Sequence, residues 1–304
     1  MAKRWDEFVL MSRNGTFLHC RGYMDYHSDR FTDCSLIAVS DGKWCAVMPA
    51  CVDNGTLYSH RGLTYGGWLS PSKHIDATVM IEVMDAACCW MRDNGINRLL
   101  YKAVPHIYHR YPCEEDLYAL FRHHATLIET NISTTIDLAQ PLPLDRGNKS
   151  GANAARKAGI TVGPSDDWQG YWRLLSSLLD ERYGTRPVHT LDEMLLLRDR
   201  FPDNIKLYTA TLDGELIAGV VMYLTHTVAH CQYIAASRKG KDSKALPLLF
   251  SHLIDLYKNA GYRYYDFGIS NEDHGHYLNE GLVRQKSRLG GRGIVYNTFE
   301  VIIA

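Results

Sequence analysis

Residues 206–235 read KLYTATLDGELIAGVVMYLTHTVAHCQYIA. An apolar, β-rich run ends at Asp213-Gly214, a second begins at once, and a short polar turn leads to a third. A tight hairpin needs positive φ at its turn, so Asp-Gly between two such runs signals one. The same grammar appears earlier, in residues 35–60, SLIAVSDGKWCAVMPACVDNGTLYSH, with Asp41-Gly42 at the turn. Both stretches continue alike. In residues 76–95, DATVMIEVMDAACCWMRDNG, the spacing of Val79, Val83, Ala87 and Trp90, with Ile75 just before, predicts one apolar helical face. Gly95 is the expected C-terminal stop, and INRLLYKAV (96–104) reads as a strand. In residues 244–261, KALPLLFSHLIDLYKNAG, the face is Leu246, Leu249, Phe250, Leu253 and Tyr257, the stop is Gly261, and YRYYDFG (262–268) is the next strand. The turn glycines stand 172 positions apart and the helix-ending glycines 166 apart, so the second copy has the shorter loop between them.

Shared order of elements is stronger evidence than any one propensity, and it predicts a duplicated chain. The join falls in residues 138–166, LAQPLPLDRGNKSGANAARKAGITVGPSD, rich in Pro, Gly and charge and leading to a new strand near Ile160. The expected division is a first lobe of residues 1–145 and a second of 146–304.

The bulk composition agrees with two globular lobes. Of 304 residues, 46% are hydrophobic and 22% charged, which is ordinary for a soluble fold with a sizeable core. The net charge of -1 gives no general attraction to DNA or to an anionic membrane. No stretch approaches a membrane span, and the N-terminus has no apolar run of signal-peptide length. The eight cysteines are scattered without a CxxC pair, which points to reduced thiols and a cytoplasmic setting.

Residues 264–291, YYDFGISNEDHGHYLNEGLVRQKSRLGG, start like a buried strand and become too polar and glycine-rich for core. The order hairpin, third strand, crossover helix, strand is similar to the core of the GNAT acyltransferase fold, and two such lobes in tandem resemble its FemAB-like (or BioF2-like) branch. The resemblance rests on NKSGANAARKAGITV (148–162), on KLYTATLDGELIAGVVMY (206–223) and on the DFG…G…GL…K…G pattern of the closing stretch. It implies an α/β (α+β) fold of two tandem GNAT-type lobes, each a mixed, mainly antiparallel sheet flanked by helices, with a cleft between them beside the 264–291 loop.

The resemblance also implies an N-acyltransferase, moving an acetyl, other acyl or aminoacyl group onto an amine of a sugar, a peptidoglycan precursor or another cell-envelope building block. The donor is acetyl-CoA or another acyl-CoA, or an aminoacyl-tRNA, the one role foreseen for a nucleic acid. Such chemistry needs a proton acceptor for the amine and a donor for the oxyanion. Lys286 matches a late lysine of Fem-type enzymes and could be the cation. Asp266 could be a base or could orient Lys286, and Glu272 is a further base candidate. Ser270 and Asn271 could bond a polar acceptor. The loop SRKGKDSKAL (237–246) stands where CoA-using relatives grip the pyrophosphate at a helix start, offering Arg238, Lys239, Gly240 and Lys241. Ser237 and Asp242, however, replace the usual Arg or Gln and Gly or Ala. In the first lobe, Tyr65, Gly66, Gly67 and Trp68, with His60, are the expected wall of an acceptor pocket. The rival reading is a GNAT-like lobe pair that has lost catalysis and only holds a ligand or acts as a scaffold.

Other chemistries find no footing. DFG stands without the other kinase motifs, no Gly-x-Ser-x-Gly elbow occurs, and GKDS lacks the upstream glycine of a P-loop. His226 and His230 fall in a predicted hairpin rather than on one helical face, so no metal site is expected. None of the eight thiols is marked in sequence as an activated nucleophile.

Overall fold

The computed structural model describes residues 1–71, 73 and 75–303; Ser72, His74 and Ala304, the last residue of the expected second lobe, lie outside the described residues. The chain forms two compact units. Unit 1 takes residues 1–132, 271–278 and 294 onward, and unit 2 takes 133–270 and 279–293.

Unit 1 begins with helices α1 (Ala2–Met11) and α2 (Arg21–Met24) and the short strand β1 (Thr32–Asp33). Strands β2 (Leu36–Ser40) and β3 (Lys43–Met48) form the first expected hairpin. Its turn residues Asp41 and Gly42 have φ of 50° and 72°, the left-handed pair that the right-handed twist of a hairpin requires. Pro49 follows β3 and has no N–H to offer a ladder. The hairpin stays a two-stranded sheet of its own. Strands β4 (Cys51–Asp53) and β5 (Thr56–Tyr58) turn tightly at Asn54 and Gly55.

Helix α3 (Ala77–Asp93) starts where the Asp76 carboxylate accepts the Val79 N–H at 3.0 Å, and it stops before Gly95, whose φ is 71°. Its buried face is Met80, Val83, Met84, Ala87, Cys88 and Met91. The expected face is therefore rotated: Val83 and Ala87 are on it, whereas Trp90 is 38% exposed. Strand β6 (Arg98–Lys102) lies parallel to β5, with Thr56, Leu57 and Tyr58 opposite Arg98, Leu99 and Leu100. Helix α4 (Glu115–Arg122) leads to strand β7 (Thr126–Asp137).

Unit 2 receives the last residues of β7, then helix α5 (Arg146–Lys157), strand β8 (Thr161–Pro164) and helices α6 (Trp168–Tyr183) and α7 (Leu191–Arg200). The join anticipated as a linker thus folds into α5, capped by the Asp145 carboxylate on the Asn148 N–H at 2.7 Å. Strands β9 (Ile205–Leu212), β10 (Glu215–Leu224) and β11 (Val228–Ala236) run antiparallel in sequence order, with Asp213 and Gly214 left-handed at the first turn. The short helix α8 (Arg238–Asp242) and the crossover helix α9 (Ala245–Asn259) follow, and β12 (Tyr264–Ile269) returns parallel to β11. Helix α9 buries Leu249, Phe250, Leu253 and Tyr257 against the sheet residues Val220, Met222 and Tyr265. Each such side chain contributes about 1.5–3 kcal/mol on leaving water.

The short hairpin β13 (Asn271–Glu272) and β14 (Tyr277–Leu278) belongs to unit 1, and helix α10 (Glu280–Ser287) to unit 2. Strand β15 (Arg292–Ile302) ends in unit 1, with Thr298–Ile302 antiparallel to β6. Contacts therefore do not divide the chain at 145/146. Residues 133–137 pair with β12 and so belong to unit 2, and the end of the chain pairs with β6 and so belongs to unit 1. Among the described residues no helix is long and apolar enough to cross a membrane.

Candidate active site

The parallel pairing of β11 and β12 sets the first contact. With Val228 opposite Tyr264, the third residues of the match are His230 and Asp266. Asp266 is wholly buried. Its Oδ1 accepts hydrogen bonds from Ser133 Oγ at 2.5 Å and Thr135 Oγ1 at 2.6 Å, and its Oδ2 lies 2.7 Å from His230 Nδ1. Burial pushes the Asp266 carboxyl up, but the hydrogen bond and charge of His230, with the two hydroxyls, outweigh it and hold the group below the usual carboxylate range. An ionised Asp266 accepts a hydrogen bond from the Nδ1–H of His230, so that in the neutral ring the lone pair is on Nε2.

The β12 ladder against β7 slips between Asp266 and Ile269. Gly268, inside the slip, has φ 77°, a conformation that glycine adopts without strain. The carbonyls it turns out are taken by Lys286 of α10, whose Nζ donates to Gly268 O at 2.8 Å and Ile269 O at 2.7 Å. Lys286 is 5% exposed. Burial pulls its ammonium down to about 8, against the opposing pull of the Asp266 charge. Two of its three N–H groups are used on carbonyls. Ser270, next along the chain, is 1% exposed, and its Oγ has no hydrogen-bond partner among the described residues. Unit 2 thus gathers a buried ammonium, a carboxylate–imidazole pair and an unpaired buried hydroxyl around the end of one strand.

The remaining expected residues sit elsewhere. Glu272 is exposed on β13 in unit 1. Asn271 is used by the fold: its Oδ1 accepts the Ile132 N–H at 2.7 Å and its Nδ2 donates to Asn131 Oδ1 at 2.5 Å. In the 237–246 loop, Ser237 caps α8 by accepting the Gly240 N–H at 3.1 Å, so that amide is spent. A Cβ on Gly240 would lie 2.2 Å from Ile217 O, so glycine is required there for packing. Lys239 pairs with Glu215 at 2.5 Å on the surface, and Arg238 and Lys241 are exposed. Helix α9 begins after Lys244 with Pro247 in its first turn, which removes one of the amides an anion would use.

In unit 1, Tyr65 is 2% exposed and packs on Tyr108 with ring centroids 4.4 Å apart. Cβ atoms on Gly66 and Gly67 would strike Ser59 O and Tyr101 Oη, and Trp68 donates its backbone N–H to Tyr101 Oη at 2.7 Å. These four residues are packing positions, and among them Trp68 also lines an open groove of about 940 Å³. His60 is buried and stacked on His27. The residue that sequence reading missed is His230. A partial signal was available: two strands joined by a crossover helix often lie side by side, and here His230 and Asp266 occupy matching places in them.

A profile of the family described as "Acetyltransferase (GNAT) domain" matches residues 149–276, from within α5 to just past β13. Residues 149–276 are thus similar to a GNAT acyltransferase domain. That domain contains His230 and Asp266, and Lys286 lies ten residues beyond the match. No curated protein matches the chain in sequence. Among solved structures, FemX is similar in fold with a TM-score of 0.70 at 14% identity, over 99% of this chain and 96% of that one. L-PGS from Bacillus licheniformis is similar with a TM-score of 0.66 at 12% identity, over 98% and 91%. A tandem GNAT protein from the clavulanic acid biosynthesis pathway has a TM-score of 0.53 at 12% identity, over 100% and 97%. The fold around the GNAT domain is thus the FemAB-like one that the sequence resembles, a mixed α/β architecture with a mainly antiparallel sheet and flanking helices.

Proposed function

We propose that this GNAT protein moves an acyl or aminoacyl group onto an amine, and that the unit 2 cluster is where the groups react. The observation that carries the reading is Lys286, a nearly buried ammonium beside the Asp266–His230 pair and the unpaired Ser270 hydroxyl. The amine nitrogen attacks the donor's acyl carbon and a C–N bond forms. Lys286 stabilises the negative charge that develops on the carbonyl oxygen. His230 Nε2 takes the amine proton, with Asp266 holding the ring and offsetting its new charge. The C–S or C–O bond to the donor then breaks, and the proton passes to the leaving group.

The acceptor class we favour is an amine on a sugar, peptidoglycan precursor or other cell-envelope building block, in line with the resemblance to Fem enzymes. Between donors, the spent Gly240 amide and Pro247 in the first turn of α9 favour an aminoacyl ester over acyl-CoA. The test is transfer itself. The purified chain is offered acetyl-CoA or aminoacyl-tRNA with amine-bearing envelope precursors, and products are read by mass spectrometry. An amide product that vanishes in Lys286→Met supports the reading. A folded protein that binds these molecules without transferring from either donor would instead favour the scaffold.

A further inference from the structure

All eight cysteines are free thiols, and the acyl-transfer chemistry uses none. One of them stands apart by its neighbours. Asp85 and Cys88 are three residues apart on α3 and so share a face. His123, immediately after α4, lies against that face. Its Nε2 is 3.0 Å from Asp85 Oδ1 and its Nδ1 is 3.7 Å from Cys88 Sγ. The three side chains line a cavity of about 320 Å³ in unit 1, with Arg92 and the tail of β15 on its other walls. A neutral ring with its proton on Nε2, facing the Asp85 carboxylate, turns the Nδ1 lone pair toward the thiol.

We propose that Cys88, His123 and Asp85 form a reactive thiol site that exchanges with low-molecular-weight disulfides. Cys88 Sγ attacks one sulfur of the small disulfide as its proton passes to His123 Nδ1. The old S–S bond breaks, and the departing thiolate takes the proton from His123 and leaves as a thiol. Cys88 ends as a mixed disulfide, and the small disulfide is the oxidant consumed. Burial pushes the free Cys88 thiol up to about 11, so no standing thiolate is available. Reactivity then depends on proton removal during attack, which the imidazole supplies. Asp85 holds the ring's tautomer, as the third member of a nucleophile–base–carboxylate set does. The guanidinium of Arg92 on the cavity wall suits a disulfide bearing carboxylates.

Glutathione disulfide is the probe. The protein carries Cys89→Ser, which removes the exposed neighbouring thiol, and adducts at each cysteine are followed in time by mass spectrometry. Cys88, although only 8% exposed, is expected to react faster than the half-buried Cys34 and Cys45. His123→Asn should slow it about 100-fold and Asp85→Asn about tenfold or more, with Cys34 and Cys45 unchanged. Cys88 reacting no faster than Cys34, or keeping its rate in both variants, overturns the proposal. If His123→Asn loosens the fold, buried Cys51 will react as well. Asp85→Asn, at a largely exposed side chain, then decides by the same criterion.

Discussion

The two copies of the hairpin–helix–strand order differ most where they should match best. In unit 2, β10 passes directly into β11 and pairs with it along nearly its whole length. In unit 1, β3 stops before Pro49, the chain turns again at Asn54-Gly55, and the β2–β3 hairpin forms its own sheet. What remains between that hairpin and α3 is the groove of about 940 Å³, walled by Val79, Val83, Trp68 and Trp90. The parallel strands differ too. The third matched pair is His230 and Asp266 in unit 2 but Tyr58 and Leu100 in unit 1. Each unit nonetheless sets a lysine on backbone carbonyls: the buried Lys286 in one, and the half-buried Lys102 in the other, with Nζ 3.0 Å from Leu63 O. A shared scaffold thus carries a carboxylate–imidazole pair in one copy and an open groove in the other. The first is where we propose that the chemistry occurs, and the second has room for a ligand.

The two lysines give the sharpest way to break that contrast. Lys286→Met should lower single-turnover acyl transfer by about 10²–10³-fold, the usual loss for one oxyanion donor. The same change at Lys102 should leave the rate within a few-fold. Equal losses at both would end the assignment of chemistry to unit 2. His230→Ala comes next, with about a 100-fold loss expected for a positioned base, measured with the fold checked by circular dichroism.

Glycines test the packing side. Gly67→Ala places a Cβ 2.5 Å from Tyr101 Oη at φ 81°, and it should cost about 1–3 kcal/mol in denaturant unfolding. Gly214→Ala at φ 79° meets nothing within 4 Å and should cost only about 1–2 kcal/mol of backbone strain.

The smallest effect is a pH slope. Lys286 titrates near 8 in the folded protein and near the ordinary 10.5 when unfolded. Between these values the unfolded chain holds more protons, so this lysine makes stability rise with pH from about 8 to 10.5. Lys286→Met should remove that part of the slope. Over the same range the cation is lost, so the wild-type transfer rate should fall above about pH 8.

Periodicity and turn chemistry made the architecture legible. Both Asp-Gly turns and both helix-ending glycines, Gly95 and Gly261, take the left-handed φ their positions demanded. Residues 146–157 were harder. Gly147, Gly151 and the surrounding charges resemble a linker, yet Gly151, Ala152 and Ala155 are small because α5 packs closely on α9, the Lys244 side chain lying 3.4 Å from a Cβ built on Gly151. At the candidate site, Lys286 and Asp266 were visible from their place after the strand. His230 was not, because its partner is 36 residues away and is reached only through the register of two parallel strands. The run Tyr65–Trp68 looked like a ligand wall for the same reason that it packs so well: glycines admit close neighbours, and in the fold those neighbours are Ser59 and Tyr101.

The final strand has a consequence for how the molecule comes into being. Unit 1 contains the first 132 residues, yet β6 finds its antiparallel mate only in Thr298–Ile302. During synthesis residues 1–132 must wait, with one sheet edge bare, until Thr298–Ile302 have left the ribosome. Unit 2 has its strands in hand sooner. Assembly should therefore run against the order of translation, and the waiting edge is the place where a chaperone would be needed.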